Sequence, residues 1–415
     1  MSRSGVITGI GVFTPVGTTL AEVFDAACAG RSGLSRPPEG HPVAGALEVA
    51  GIAPGIDPAP LVPPPERRTV DRYVLMALRA ADDALADAGL RAGRDVDPYR
   101  IACVISGTGG LATLADQVLR RAARGRPAVS PYLLPGVLPN MAAARVAIRH
   151  GIRGYSTSLA TACAAGAQAV AEALRLLRAG DADAVVCGCA EALLFDTWAD
   201  SFANARALAH GWADPQAASR PFDRRRNGFV LGEGAAVLVV ERPEHAAARG
   251  AAGYADVAGW GASTDAHHPT TPHPDGEGAA YSMRRALADA GIEARDVGYL
   301  NAHGTGTRLG DAAEAAAVRR VFGDGGPPIS STKGVTGHLL GASGAVEVAV
   351  SAAALRAGLL PPTHNLDDPD PACDLDHITK APRAAPAGFA LSNSFGFGGH
   401  NVSLVLSRPT IRPRR

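Results

Sequence analysis

The chain has 415 residues, 47% of them apolar, and its 40 Lys and Arg balance 40 Asp and Glu. That length exceeds what one hydrophobic core usually serves, so two domains or one duplicated unit is expected, and the charge balance excludes a global field drawing it to nucleic acid or an anionic membrane. No uncharged apolar run reaches the ~18 residues of a membrane span, and six scattered cysteines without framework spacing predict reduced thiols in the cytoplasm.

In chain order, GVITGIGVF (5–13) reads as a first strand, entered without a basic-then-apolar leader. Most of 37–65 is punctuated by Pro and Gly and predicts a surface excursion. A helical pattern ending in ALADAGL (84–90) precedes a strand with a Gly-rich turn, IACVISGTGG from 101. TACAAGAQAVAEALRLLRAG (161–180) places Cys163 at the head of an Ala-rich helix; VVCGCAE (185–191) reads as a strand.

After RGAAGYADVAG (249–259) the pattern begins again. ALADAGI (286–292) precedes another strand and Gly-rich turn, VGYLNAHGTGT from 297. ASGAVEVAVSAAALRAG (342–358) matches AAGAQAVAEALRLLRAG (164–180) without a gap, and GGHNVSLVL (398–406) faintly echoes GEGAAVLVV (232–240). Three echoes in the same order predict a duplicated α/β unit with mostly parallel sheets, its halves being residues 1–255 and 256–415. The two helices of small residues should meet at its buried centre.

Most lone cysteines are small buried hydrophobes. Cys163 differs in position: first-turn amides and the helix dipole favour a thiolate, and a turn from strand to helix would expose the sulfur. Its echo brings His303 (NAHGTGT) to a strand end, and Lys333 and His338 (STKGVTGHLLG) to the loop before the matching helix, so the two loops should face each other. Glycines in SNSFGFGGHN (392–401) permit turns that aim amide hydrogens into a cavity, as an oxyanion site requires. Cys187 and Cys189 lack a second ligand pair and read as buried small residues rather than zinc ligands.

Together, TACAAG, NAHGTGT, KGVTGHLLGASGAVE and NSFGFGG resemble the β-ketoacyl-acyl-carrier-protein synthase family, in its elongating Cys-His-His form, over almost the whole chain. The resemblance implies an α/β, thiolase-like duplicated five-layer α-β-α-β-α fold and an acyltransferase that condenses malonyl units with a Cys163-bound acyl chain. It implies no cofactor beyond the carrier's phosphopantetheine, an acyl carrier protein as partner, and no nucleic acid or membrane. The assembly would be a homodimer or a ketosynthase–chain-length-factor heterodimer, in fatty-acid or type II polyketide synthesis; a non-catalytic chain-length subunit is disfavoured because the cysteine and both histidines are present.

By that resemblance, Cys163, His303, His338 and Lys333 are catalytic, and Cys163 and Phe397 supply the oxyanion hole, Phe397 also serving as a gate. Glu314 supports as the expected partner of Lys333. Thr305, Thr307, Thr270, Thr108 and Phe202 bind substrate, and Arg67, Arg68, Arg72, Arg124, Arg126 and Arg206 are docking candidates for an acidic carrier. Asn301, Glu347, Ser392 and Asn393 match a monovalent cation site of some relatives. His400 replaces a threonine common in the family, and Thr108 stands where a bulkier apolar residue is frequent. The cluster His267, His268 and His273 lies in a family loop that is not a metal site.

Overall fold

Every residue of GVITGIGVF is buried, forming the central strand β1 (Gly5–Phe13) of a computed structural model that describes residues 4–412. The chain continues through α1 (Leu20–Ala29), β2 (Leu34–Ser35), β3 (Ala50–Gly51), α2 (Arg72–Ala88), β4 (Ile101–Ser106), α3 (Leu111–Arg124), α4 (Leu133–Val137) and α5 (Met141–His150). Then come β5 (Ser156–Thr157), α6 (Ala165–Ala179), β6 (Ala184–Glu191), α7 (Asp196–Asn204), β7 (Gly234–Glu241) and α8 (Pro243–Ala248). The second set is β8 (Ala255–Thr264), α9 (Glu277–Ala290), β9 (Val297–Asn301), α10 (Arg308–Phe322), β10 (Ile329–Ser330), α11 (Lys333–Thr336) and α12 (Ala342–Ala357). It closes with β11 (Leu359–Leu360), β12 (Arg383–Ala384), β13 (Phe389–Gly396) and β14 (His400–Ser407).

One ten-stranded sheet runs β10-β9-β13-β14-β8-β1-β7-β6-β4-β5. Outward from its centre, β1-β7-β6-β4-β5 repeats as β8-β14-β13-β9-β10, and corresponding pairs keep their sense: β6–β4 and β13–β9 are parallel, β7–β6 and β14–β13 antiparallel. The sequence echoes fall on corresponding elements. ALADAGL and ALADAGI end α2 and α9, each stopped by a left-handed glycine, Gly89 (φ 64°) and Gly291 (φ 71°). The long echo is α6 and α12, and the faint one spans β7 and β14.

Helices α2 and α5 cover one half-sheet, α9 with α10 covers the other, and α6 and α12 lie between them, which makes the five layers of the thiolase-like architecture. The centre works because its residues are small. A Cβ on Gly166 would lie 2.6 Å from the Gly341 oxygen and 2.8 Å from the Ala345 nitrogen; one on Gly344 would lie 2.8 Å from the Ala167 nitrogen. Gly166 and Gly344 are equivalent in the echo, as are Ala167 and Ala345, so each copy makes the contact the other makes. Residues 37–65 run over the surface as expected, most of their prolines and glycines exposed, but they tuck Val43 and Ala50 fully inside, and Gly51 bonds to the Leu231 and Glu233 backbone. Val43, Leu47 and Ala50 pack in the cluster that also holds Cys163.

Candidate active site

Cys163 sits in a single tight turn, Ala162–Ala164, just before α6. Ala162 takes a left-handed φ of 49°, a strained angle for an L-residue. The end of β13 can approach because Gly396 has no side chain: a Cβ there would lie 2.7 Å from the Thr161 oxygen and 3.0 Å from the Cys163 nitrogen. Burial pushes the Cys163 thiol up to about 11, with Glu191 adding to the rise, while Lys333 and the backbone N–H groups of Phe397 and Cys163 pull it down. The expectation of an exposed thiolate is therefore corrected. The residue is half-buried, and desolvation outweighs the helix end and Lys333, so the resting thiol keeps its proton at neutral pH.

His303 and His338 lie edge to face, ring centroids 5.4 Å apart. Burial, then the charge of Lys333, holds both rings well below the usual histidine range, and His338 adds to this for His303. Both are neutral at physiological pH. The Nδ1 of His338 lies 3.1 Å from the Ser343 hydroxyl, which accepts the Leu339 N–H (2.9 Å) and so has its own proton free to donate to the ring, leaving Nε2 protonated. The Nδ1 of His303 is buried without a partner among the described residues.

Two buried carboxylates hold the turn after β9. Glu314 accepts the N–H of His303 (2.9 Å) and of Gly304 (2.7 Å). Asp311 accepts those of Thr305 (3.0 Å), Gly306 (3.1 Å) and Phe222 (2.7 Å). Burial raises them to about 7 and about 6. Because backbone groups occupy Glu314, it does not pair with Lys333, contrary to the sequence expectation. The ammonium instead meets Glu347 on α12 and donates to the His303 carbonyl. Thr305 and Thr307 share a hydrogen bond (3.0 Å), and Thr307 also caps α10.

Phe397, half-exposed, lies 6.3 Å from Phe202. Phe202 stands edge-on to Phe229, which stands edge-on to His338. The Phe397 turn is tied to the Thr270 loop by Gly398 N–H to Pro269 O (2.6 Å) and Asp265 N–H to Gly399 O (2.9 Å). Thr270 itself is exposed, and the His400 ring lies beside Gly398. Trp198, missed in the sequence reading, joins the apolar cluster containing Cys163, its indole N–H buried and unpartnered among the described residues.

Asn301 Oδ1, Ser392 Oγ and Glu347 Oε2 are each buried and unpartnered among the described residues, and Ser392 and Asn301 are register neighbours on β13 and β9. Amide, hydroxyl and carboxylate oxygens are the donor type that hard cations take. Asn393 is otherwise engaged, with Ser403 (2.8 Å) and Glu314 (3.3 Å). Among the described residues no His, Cys, Asp and Glu group has metal-site geometry. Cys187 and Cys189 are fully buried; the His267 and His273 rings are 5.0 Å apart. Arg67, Arg68, Arg124, Arg126 and Arg206 are exposed. Arg72 is half-buried, bound to Glu233 (2.8 Å) and to the carbonyls of Ala53 and Pro54.

Residues 3–246 match the family described as beta-ketoacyl synthase, N-terminal domain, and 254–367 its C-terminal domain. The chain is 40% identical over 408 residues to the 3-oxoacyl-[acyl-carrier-protein] synthase 2 of Coxiella burnetii, covering 98% of this chain and 99% of that one. It is 43% identical over 351 residues to that of Rhizobium meliloti, covering 84% and 83%. Among solved structures, a type II polyketide ketosynthase bound to a hexaketide, in complex with its acyl-carrier protein, superposes with a TM-score of 0.91 at 32% identity, covering 99% of this chain and all of that one. The ishigamide ketosynthase/chain length factor gives 0.90 at 34%, with the same coverage.

Proposed function

Since the chain belongs to the beta-ketoacyl synthase family, we propose that Cys163 is its acyl acceptor and His303 and His338 its donors to the malonyl thioester. The enzyme is a β-ketoacyl-acyl-carrier-protein synthase, an acyltransferase performing decarboxylative condensation. The acyl group moves from the carrier's pantetheine sulfur to Cys163: one C–S bond forms, one breaks, and the thiol proton leaves with the pantetheine. Malonyl carrier protein follows. As its carboxylate departs as CO2, charge develops on the thioester oxygen, and neutral rings donate to it while keeping their own protons. The enolate carbon attacks the Cys163 thioester and the N–H groups of Cys163 and Phe397 receive the new oxyanion; its collapse breaks the Cys163 C–S bond, the departing sulfur regains a proton from solvent, and a 3-oxoacyl chain two carbons longer stays on the carrier.

The observation that carries this reading is that the end of β13 at Gly396 lies against the Cys163 turn, and that Cys163 packs in the cluster of Phe229, which stands edge-on to His338 in a neutral histidine pair whose His303 carbonyl Lys333 holds. The pair comes from residues 256–415, the nucleophile from 1–255. A cation at Asn301, Ser392 and Glu347 would offset the Glu347 charge beneath Lys333. No organic cofactor is assigned, since the pantetheine arrives with the carrier, whose acidic surface would meet the exposed arginines. No helix among the described residues is long and apolar enough to cross a membrane; we place the enzyme in the cytoplasm. Incubating it with acyl and malonyl carrier proteins should yield 3-oxoacyl carrier by mass; absence of product across a chain-length series defeats the assignment.

A second reading, a ketosynthase working beside a chain-length factor, is favoured by those structural neighbours. The chain also has a surface for a homologous partner: β5 is an open sheet edge, and Leu119, Leu134 and Ile148 are more than 60% exposed. Its counterpart β10 is instead bridged by His377. A dimer of the isolated chain would support self-association; a monomer that pairs only with a co-expressed homologue would support the heterodimer.

A further inference from the structure

The duplication leaves a second elbow opposite the first. In the α6/α12 echo, Gly341 corresponds to Cys163, and Leu340 (φ 50°) to Ala162 (φ 49°). Ladder register adds a second equivalence: Glu191 pairs with Gly234 at the start of β7, and Gly396 with His400 at the start of β14. Glu191 is therefore the counterpart of Gly396. At the first elbow the helix side carries a thiol and the strand side a glycine. At the second the assignment is reversed. A Cβ on Gly341 would lie 2.8 Å from Glu191 Oε1 and 3.0 Å from Cys189 Sγ. The carboxylate fills the space that a second nucleophile would need.

Glu191 is 2% exposed, and among the described residues it is held by Thr108 alone. The Thr108 N–H lies 3.2 Å from both carboxylate oxygens, and its hydroxyl donates to Oε1 at 3.0 Å. Leu111 and Ala112, just beyond Thr108, pack in the cluster with Cys163. Asp71, at the N-cap of α2, opposes ionisation of Glu191, and Glu191 in turn acts on Tyr73, on Cys189 of its own strand and on Cys163. Its ordinary pKa is raised to about 7 by burial, and its charge opposes ionisation of Cys163.

We propose that Glu191 is a positioning residue: seated in the emptied second elbow, it holds Thr108 at the head of the segment whose Leu111 and Ala112 pack with Cys163, and thereby sets which acyl chains Cys163 accepts and how readily its thiol reacts. The inference rests on Cys163 being the acyl acceptor.

Three variants test it, read by iodoacetamide labelling of Cys163 against pH, located by peptide mapping, and by acyl loading across a chain-length series. Glu191→Gln keeps one oxygen acceptor for Thr108 and loses the charge. Its labelling midpoint should fall by about one pH unit, with the loading profile unchanged. Glu191→Ala releases Thr108, so the midpoint falls and the chain-length profile also changes. Thr108→Val, at an exposed position, removes the hydroxyl donor and should reproduce the direction of that profile change even if Glu191→Ala folds poorly. An unshifted midpoint in Glu191→Gln, or a wild-type profile in Thr108→Val, overturns the proposal. Equal loading of Cys163→Ala and wild type would instead remove the nucleophile assignment beneath it.

Discussion

Ala162 and Leu340 share a left-handed backbone, φ 49° and 50°, each one residue ahead of the position where an elbow turns into its central helix. An L-residue in that region costs about 1–2 kcal/mol relative to glycine. Ala162 is exposed, so backbone strain dominates its substitutions. Urea unfolding should find Ala162→Gly neutral to about 1 kcal/mol more stable, and Ala162→Val more than about 1 kcal/mol less stable. A valine variant as stable as wild type would show the elbow to be unstrained.

Gly396 gives the second prediction. A methyl there meets the Thr161 oxygen at 2.7 Å and the Cys163 nitrogen at 3.0 Å, both backbone atoms that cannot swing aside. Gly396→Ala should push the Phe397 amide off the sulfur and lower kcat for condensation by about a hundredfold or more. The half-buried thiol should still label with iodoacetamide. Wild-type kcat would remove that amide from the oxyanion site.

Lys333 and Glu347 are each about 1% exposed, so removing the lysine leaves an uncompensated buried carboxylate. Lys333→Ala should cost about 3–5 kcal/mol in denaturant unfolding. A second readout follows from the histidines. Lys333 helps hold both rings low, so they stay neutral into acid. Without it their pKa values rise, protonation begins at higher pH, and the acid limb of malonyl decarboxylation should move upward. A limb that stays in place or moves down would show that Lys333 does not set the charge state of the pair.

Much of this was legible because it recurs within the chain. The α6/α12 echo located the buried helix pair, and its small residues predicted a contact that Gly166 and Gly344 then make reciprocally. Cys163, His303 and His338 stood out because each ends an element next to glycines. The lysine's partner was not legible: Glu314 and Glu347 both lie on helices near the site, and which one is free depends on where the His303 and Gly304 amides point. Arg72 looked like surface charge beside Arg67 and Arg68; its ion pair with Glu233 exists only once β7 is placed. The thiol's protonation was misread because a helix-end argument says nothing about burial. Glu191 gave no local signal, since its meaning lies in its equivalence to Gly396 across the fold.

The most direct measurement is the intact mass of the protein after incubation with an acyl carrier protein, followed by peptide mapping. One acyl increment should appear, on the peptide containing Cys163, and be absent from Cys163→Ala. An increment on another residue, or one that survives in Cys163→Ala, would contradict the account.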